Sequence, residues 1–388
     1  MNRRRFLGIG AAAGLAFAQK KPREEAVTAA ATRAATPRVS IVASNFRGSE
    51  EHDGTKIPGL TDPRPMDAEL TAAQIEAMVC KALDLGSPVQ GGIASIISPD
   101  DWVVIKTNIA SCHGLGPEAH DGGAHQPYLA GSVADLRVVN SLLQYLVEHK
   151  CGARITIAEG SAEWLPVERS KSAVDGWTST WGGAFGGLSY RGMVDDFARR
   201  YSGIRFEIVD LNFDQSVDLP VPGKSSRQYT IPKTIQQCDR LISVAPLKTH
   251  SLMGVSLSMQ NYFGIAPGAK YGFPKDALFK LGPPDDVLLD LFSYHPADYA
   301  IAGGCWGIEG GAPEARSVHH NVIVAGASAL SVDAVAAGVM GFSPASLPYL
   351  NLAEKRGFGV ADPDVIWIRG NDIDEARRAF KKPSSFPG

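Results

Sequence analysis

Short runs of apolar, mostly β-branched residues recur along the chain: Val39–Val42, Trp102–Ile105, Ile155–Ala158, Phe206–Val209, Leu241–Val244, Tyr299–Ala302, Val322–Ala325 and Val365–Ile368. Runs of this length, bounded by polar residues or glycine, predict buried strands. Helical patterns lie between several of them. Thr71-x-x-Gln74 reads as a capping box opening a helix through Leu85. Val133 to His149 puts Leu136, Val139, Leu143 and Leu146 on one face and stops near Gly152. Val332 to Met340 and Ser346 to Arg356 predict a helix pair, the second ended by Gly357. Strands alternating with helices predict an α/β fold: a mainly parallel, mixed sheet with helices on both faces. Two segments break the alternation, the Gly- and His-rich Ser111–Gln126 and the Trp- and Gly-rich Ala162–Arg191. Loops of that length act as lids or binding loops, or pack as plain surface excursions; both are expected near the carboxyl edge of the sheet.

The N-terminus has a different character. Arg3, Arg4 and Arg5 precede Phe6-Leu7 and a short apolar run, Gly8 to Ala18, that ends in Ala-Phe-Ala. A basic start, an apolar stretch too short to span a bilayer and a small-residue cleavage site are secretory features. The Arg-Arg-x-Phe-Leu order resembles the twin-arginine class, which implies residues 1–18 as a signal peptide, the twin-arginine translocase as a partner, and a periplasmic or extracellular destination. Residues 19–37 read as a flexible tether, and 38–388 as one α/β domain with its core at about 39–370. Loss of the leader lowers Lys+Arg from 38 to 35 against 41 acids, a net charge of −6. That argues against nucleic acid as a partner. No later stretch reaches ~18 consecutive apolar residues, so no membrane span is expected after processing. The five cysteines, Cys80, Cys112, Cys151, Cys238 and Cys305, form no C-x-x-C pair. Zinc ribbons and iron–sulfur sites are thereby disfavoured, and the odd count leaves at least one thiol free.

In open parallel sheets, ligands bind beyond the carboxyl ends of the strands. The residues just past each apolar run are therefore informative. Lys106-Thr107-Asn108, Glu159-Gly160-Ser161, Lys248-Thr249-His250 and Trp306-Gly307-Ile308-Glu309-Gly310-Gly311 come after four of them. Lys248, His250, Glu159 and Glu309 are the candidate catalytic groups; Lys106, Asn108, Ser161, Thr249 and Asn261 are candidate ligand-binding groups. Each also has a plainer reading: a solvated lysine, a capping histidine, a glutamate accepting amide hydrogen bonds, a turn rich in glycine. No H-E-x-x-H or G-x-S-x-G occurs, and Pro222-Gly223-Lys224-Ser225 lacks the earlier glycine of a phosphate loop. His113, His120, Asp121 and His125, beside Cys112, are ligand types at short spacing and form a weak candidate metal site.

The ordered motifs VVIKTN (103–108), RITIAEGS (154–161), APLKTHSLMG (245–254) with Asn261–Gly264, WGIEGG (306–311) and SVDAVAAGVMGF (331–342) resemble the bacterial and archaeal domain-of-unknown-function family numbered 362. The resemblance covers roughly Val39 to Gly370. Some members append a ferredoxin-like iron–sulfur module, whose cysteines this chain lacks. Members usually carry an aspartate where the strand before Trp306 ends, a position occupied here by Gly303. The resemblance also implies a fold distantly similar to lactate racemase, but that enzyme's motifs are missing and its nickel cofactor is not carried across. The expectation is an exported enzyme acting on a small anionic molecule by general acid/base chemistry, its substrate and cofactor unspecified. The alternatives are a small-molecule-binding protein without turnover and a metal- or redox-dependent accessory factor.

Overall fold

Five strands running the same way form the centre of the fold: β2 (Trp102–Lys106), β3 (Arg154–Glu159), β4 (Arg205–Asp210), β7 (Arg240–Ala245) and β10 (Tyr299–Glu309). The computed structural model describes residues 36–47, 63–109, 129–162, 185–311 and 314–386. On the far side of β10, β11 (Arg316–Gly326) runs antiparallel and pairs with β1 (Arg38–Ala43), which in turn pairs in parallel with β12 (Trp367–Gly370). The order is β12-β1-β11-β10-β7-β2-β3-β4, a mainly parallel mixed sheet. Two three-residue strands, β8 (Lys248–His250) and β9 (Gly254–Ser256), extend it beside β10.

Period-two alternation sends successive side chains to opposite faces and builds two cores. Val104, Leu241 and Ala302 pack with the helices at Pro284–Tyr294 and Ala329–Val339. Val103, Ile105, Ile157 and Val244 pack on the other face with the helices at Ala72–Gly86, Leu136–Glu148 and Tyr190–Arg200. The helices start where the sequence supplies acceptors for their free amides. Thr71 and Gln74 form the expected capping box, Asp135, Ser189 and Ser328 cap three of the other four, and the helix Pro284–Tyr294 opens instead on a proline, which has no amide to satisfy.

Three local readings change. The run Tyr299–Ala302 does not end a strand: β10 continues to Glu309 through a bulge between Gly304 and Trp306. Gly303 therefore lies mid-strand, at φ 129°, and a Cβ there would sit 2.1 Å from the Val322 carbonyl oxygen. No side chain of any kind fits at that position. Val365 belongs to a 3₁₀ turn before β12. The hairpin β5 (Ser216–Val221) and β6 (Lys224–Pro232) is hidden in the sequence by its polar, half-exposed composition; Pro222-Gly223 makes its turn. Most of the two long loops, and the candidate metal residues His113, His120, Asp121 and His125 with them, lie outside the described residues.

The strand order fixes where a site can form. From β2 the chain steps through β3 to β4, then returns to place β7 on the opposite flank of β2. The reversal opens a crevice beyond the carboxyl ends of β2 and β7.

Candidate functional site

Lys106, the last residue of β2, has no exposed surface. Its Nζ donates to the Thr107 carbonyl at 2.8 Å, to Glu159 Oε1 at 2.9 Å and to Asn261 Oδ1 at 2.9 Å. Glu159 ends the neighbouring β3 and also accepts from the backbone amides of Gly160 (2.7 Å) and Ile109 (2.9 Å). Asn261, in the 3₁₀ turn Gln260–Ile265, donates to the Lys106 carbonyl at 2.9 Å and to Ser243 Oγ at 3.1 Å. Burial pulls the Lys106 pKa below its ordinary value, and the Glu159 carboxylate opposes that pull. Gly264 completes the packing: a Cβ there would fall 2.4 Å from both Glu159 Oε1 and Lys106 Nζ.

Asp333 holds the turn that carries Asn261. Its carboxylate, fully buried on the helix Ala329–Val339, accepts from the amides of Ser258 (2.9 Å) and Met259 (3.0 Å) and from the Tyr349 hydroxyl (3.2 Å). Burial pushes its pKa up to about 6 against those hydrogen bonds.

Two further lysines are buried nearby. Lys248 donates to Asn108 Oδ1 at 2.7 Å and to the Ser132 carbonyl at 3.2 Å. Burial, assisted by the Lys106 charge and resisted by Glu159, lowers its pKa to about 8. Lys275 donates to the carbonyls of Gly160 (2.6 Å), Phe263 (3.3 Å) and Gly264 (3.5 Å). Burial, offset in part by Glu159, lowers its pKa to about 7. Asp210, at the end of β4, is pushed up to about 6, chiefly by burial. An ammonium has three protons to donate. Among the described residues Lys106 and Lys275 each have three acceptors and Lys248 has two, one fewer than its protons.

A cavity of about 390 Å³ occupies this crevice, and Asn108, Glu159, Lys248, Thr249, Asn261 and Lys275 supply polar lining. Glu159 is the one acid lining it among the described residues, and it is already paired with Lys106. Lys275 is a site residue that sequence reasoning misses. It comes after no apolar run and sits in a Gly/Pro-rich turn, and its burial depends on carbonyls brought from two other segments.

The remaining candidates divide. His250 lines the cavity, but its Nδ1 accepts from the amides of Leu252 and Met253, both at 3.3 Å. Burial, with the Lys248 charge adding, drives its pKa down to about 4. The neutral ring therefore carries its proton on Nε2, leaving it a donor rather than an acceptor; as a general base it is poorly placed. Thr249 Oγ1 accepts from the Gly311 amide at 3.2 Å. Ser161 is buried outside the lining, its carbonyl taken by Asn212 at 3.0 Å. Glu309 is not in the cavity: Ile308 faces it, and alternation turns Glu309 away to Arg316 Nε (2.5 Å) and the Lys381 amide (2.8 Å). Among the described residues no group of three His, Cys, Asp or Glu side chains could hold a metal ion.

The family model described as Domain of unknown function (DUF362) matches residues 103–338, more than half of the chain. The protein belongs to that family. The DUF362 segment begins within β2 and ends in the helix Ala329–Val339, so it contains Lys106, Glu159, Lys248, Asn261, Lys275 and Asp333 alike. No curated protein matches the chain. Among solved structures it is similar to the lactate racemase apoprotein from Thermoanaerobacterium thermosaccharolyticum, at 12% identity and a TM-score of 0.34. That similarity covers 63% of this chain and 52% of the other, so the chain spans about half the length of that protein.

Proposed function

We propose that this DUF362 protein is an enzyme that takes a small anionic molecule into the crevice beyond β2 and β7 and moves a proton on it through Lys248. The observation that carries the reading is the lysine inventory. Among the described residues three buried amines lie about the Glu159 carboxylate, and of the two that line the cavity Lys275 has three acceptors and Lys248 two. Excess positive charge in a site shielded from water favours an anion. An amine with a pKa of about 8 has both protonation states within reach near neutral pH, as a general acid or base requires. Lys106 is assigned a different part from direct anion contact. Its three protons are committed, so it fixes Glu159 and Asn261, while His250 Nε2–H serves as a neutral donor to the ligand.

The test is calorimetric titration of the chain with acetate, malonate and inorganic phosphate at pH 7 and pH 9. At least one anion should bind, more weakly at pH 9, and Lys248→Met should lower its affinity at least tenfold. Binding that ignores both pH and the substitution would overturn the reading. Turnover is read separately, as Lys248-dependent uptake of solvent deuterium at the carbon beside the bound carboxylate. Binding with no such exchange in any ligand would leave a binding protein rather than an enzyme.

We also propose export by the twin-arginine route, supported by Arg3-Arg4-Arg5-Phe6-Leu7 and the Ala16-Phe17-Ala18 site. Replacing the three arginines by lysine should hold precursor in the cytoplasm. Undiminished secretion would move the assignment to the general secretory route.

A further inference from the structure

The cavity is chemically two-sided, and this bears on the class of molecule it takes; the argument rests on the anion reading above. The strand ends supply the polar part, Lys248 with Asn108 and Glu159. The segment just past Asn261 supplies an apolar part, Phe263, Pro274, Leu278 and Phe279, together with Lys275, whose ammonium is engaged by the carbonyls of Gly160, Phe263 and Gly264. The rings of Phe263 and Phe279 lie 5.4 Å apart and tilted by 59°, within the range in which aromatic groups attract one another. Phe279 nevertheless stays 42% exposed, on a helix of only four residues, Asp276–Phe279. Leu281 beside it is 43% exposed.

A purely ionic ligand such as a free inorganic anion would use Lys248 and leave this apolar lining against water. A purely apolar one would leave the Lys248 charge without a counter-ion, which is costly in a buried site. At about 390 Å³ the cavity lies toward the small end of the roughly 300–1,000 Å³ range of ligand pockets. An ammonium with one proton more than its acceptors among the described residues, beside neutral amides, suits a single negative charge better than a dianion, whose desolvation is harder to offset. We infer that the ligand is an amphipathic carboxylate: a carboxyl group seated at Lys248 and Asn108, carried on an apolar body of about one ring that packs on Phe263, Leu278 and Phe279.

Three matched probes separate the parts of this inference. Acetate has the charge without the body, phenylacetate has both, and phenylacetamide has the body without the charge. Calorimetric titration of the full chain at pH 7 should show phenylacetate binding at least tenfold tighter than either of the others. Phe279→Ala should remove most of the advantage of phenylacetate over acetate. Phe279 is half exposed, so the variant should fold; circular dichroism checks this, and Phe279→Leu, which keeps apolar bulk, should lose less. Acetate and phenylacetate binding equally would overturn the amphipathic inference while the anion reading stands. Phenylacetamide binding as tightly as phenylacetate would remove the anion reading, and this inference with it. Failure of all three probes to bind would overturn the proposed ligand class.

Discussion

Replacing Lys248 by methionine, which keeps the length of the side chain and removes its charge, should change how stability depends on pH in a way set by burial. In the folded chain the amine is buried and its pKa falls from the ordinary 10.5 to about 8. Below pH 8 it is protonated in both folded and unfolded chains, and the folded state bears the whole cost of burying the charge. Between pH 8 and 10.5 the folded amine is neutral while the unfolded one still holds its proton. The unfolded state then binds more protons, so stability rises with pH across that window and the cost is gone above it. At ~1.4 kcal/mol for each tenfold change in proton affinity, the full cost is about 3 kcal/mol. Paired urea unfolding of the wild type and Lys248→Met, in the absence of ligand, isolates the titration of Lys248 and of the groups coupled to it, because titrating groups remote from it cancel in the difference. From pH 7 to pH 10 the wild type should gain about 2–3 kcal/mol on the variant, provided both show the same urea dependence. The lost hydrogen bonds to Asn108 and Ser132 offset the curves by a constant and leave the slope alone. A difference that is flat in pH would mean that Lys248 titrates as an ordinary exposed amine, and the acid/base role assigned to it would fall.

Lys106→Met should destabilise the chain by about 3–5 kcal/mol, since it strands the Glu159 carboxylate in the interior, and adding Glu159→Gln should recover part of the loss in the same urea assay. Gly264→Ala should be at least as damaging as Lys106→Met, because the new methyl group falls on both members of the ion pair; thermal unfolding of the purified variant measures it. Asp333→Asn should cost about 1–3 kcal/mol, because an amide cannot accept on both sides from the Ser258 and Met259 amides, and urea midpoints report it. Glu309→Gln should leave anion affinity within twofold of wild type by calorimetry, because that carboxylate serves Arg316 and the Lys381 amide outside the cavity.

Much of the sheet can be read from the chain because each buried strand is a short apolar run with nothing else to do. Lys106, Asn108, Glu159, Lys248, Thr249 and His250 share one crevice for the same reason: a residue just past a parallel strand is delivered to the carboxyl edge. What the pattern omits is direction and partnership. Glu309 comes after an apolar run too, but the glycines of β10 let the strand bulge and continue, and from there alternation decides that Ile308 faces the cavity and Glu309 does not. His250 has the right identity, but Nδ1 is engaged by two amides of its own turn. Lys275 gives no local signal, since its burial comes from carbonyls of Gly160, Phe263 and Gly264. Hydrogen bonds from a side chain to backbone distant in sequence leave no trace in residue types.

The reversal of strand order at β2 has a consequence for how the chain matures. The amine of Lys106 meets a carboxylate 53 residues downstream and an amide 155 residues downstream. A growing polypeptide must close both of those loops before this amine can shed its water, and non-local closures of this kind are slow. A chain with β2, β3 and β4 paired but Asn261 not yet in place would leave Lys106 short of one acceptor. The appearance of ligand affinity during refolding would then time the arrival of β7 and the turn behind it, rather than the first collapse of the sheet.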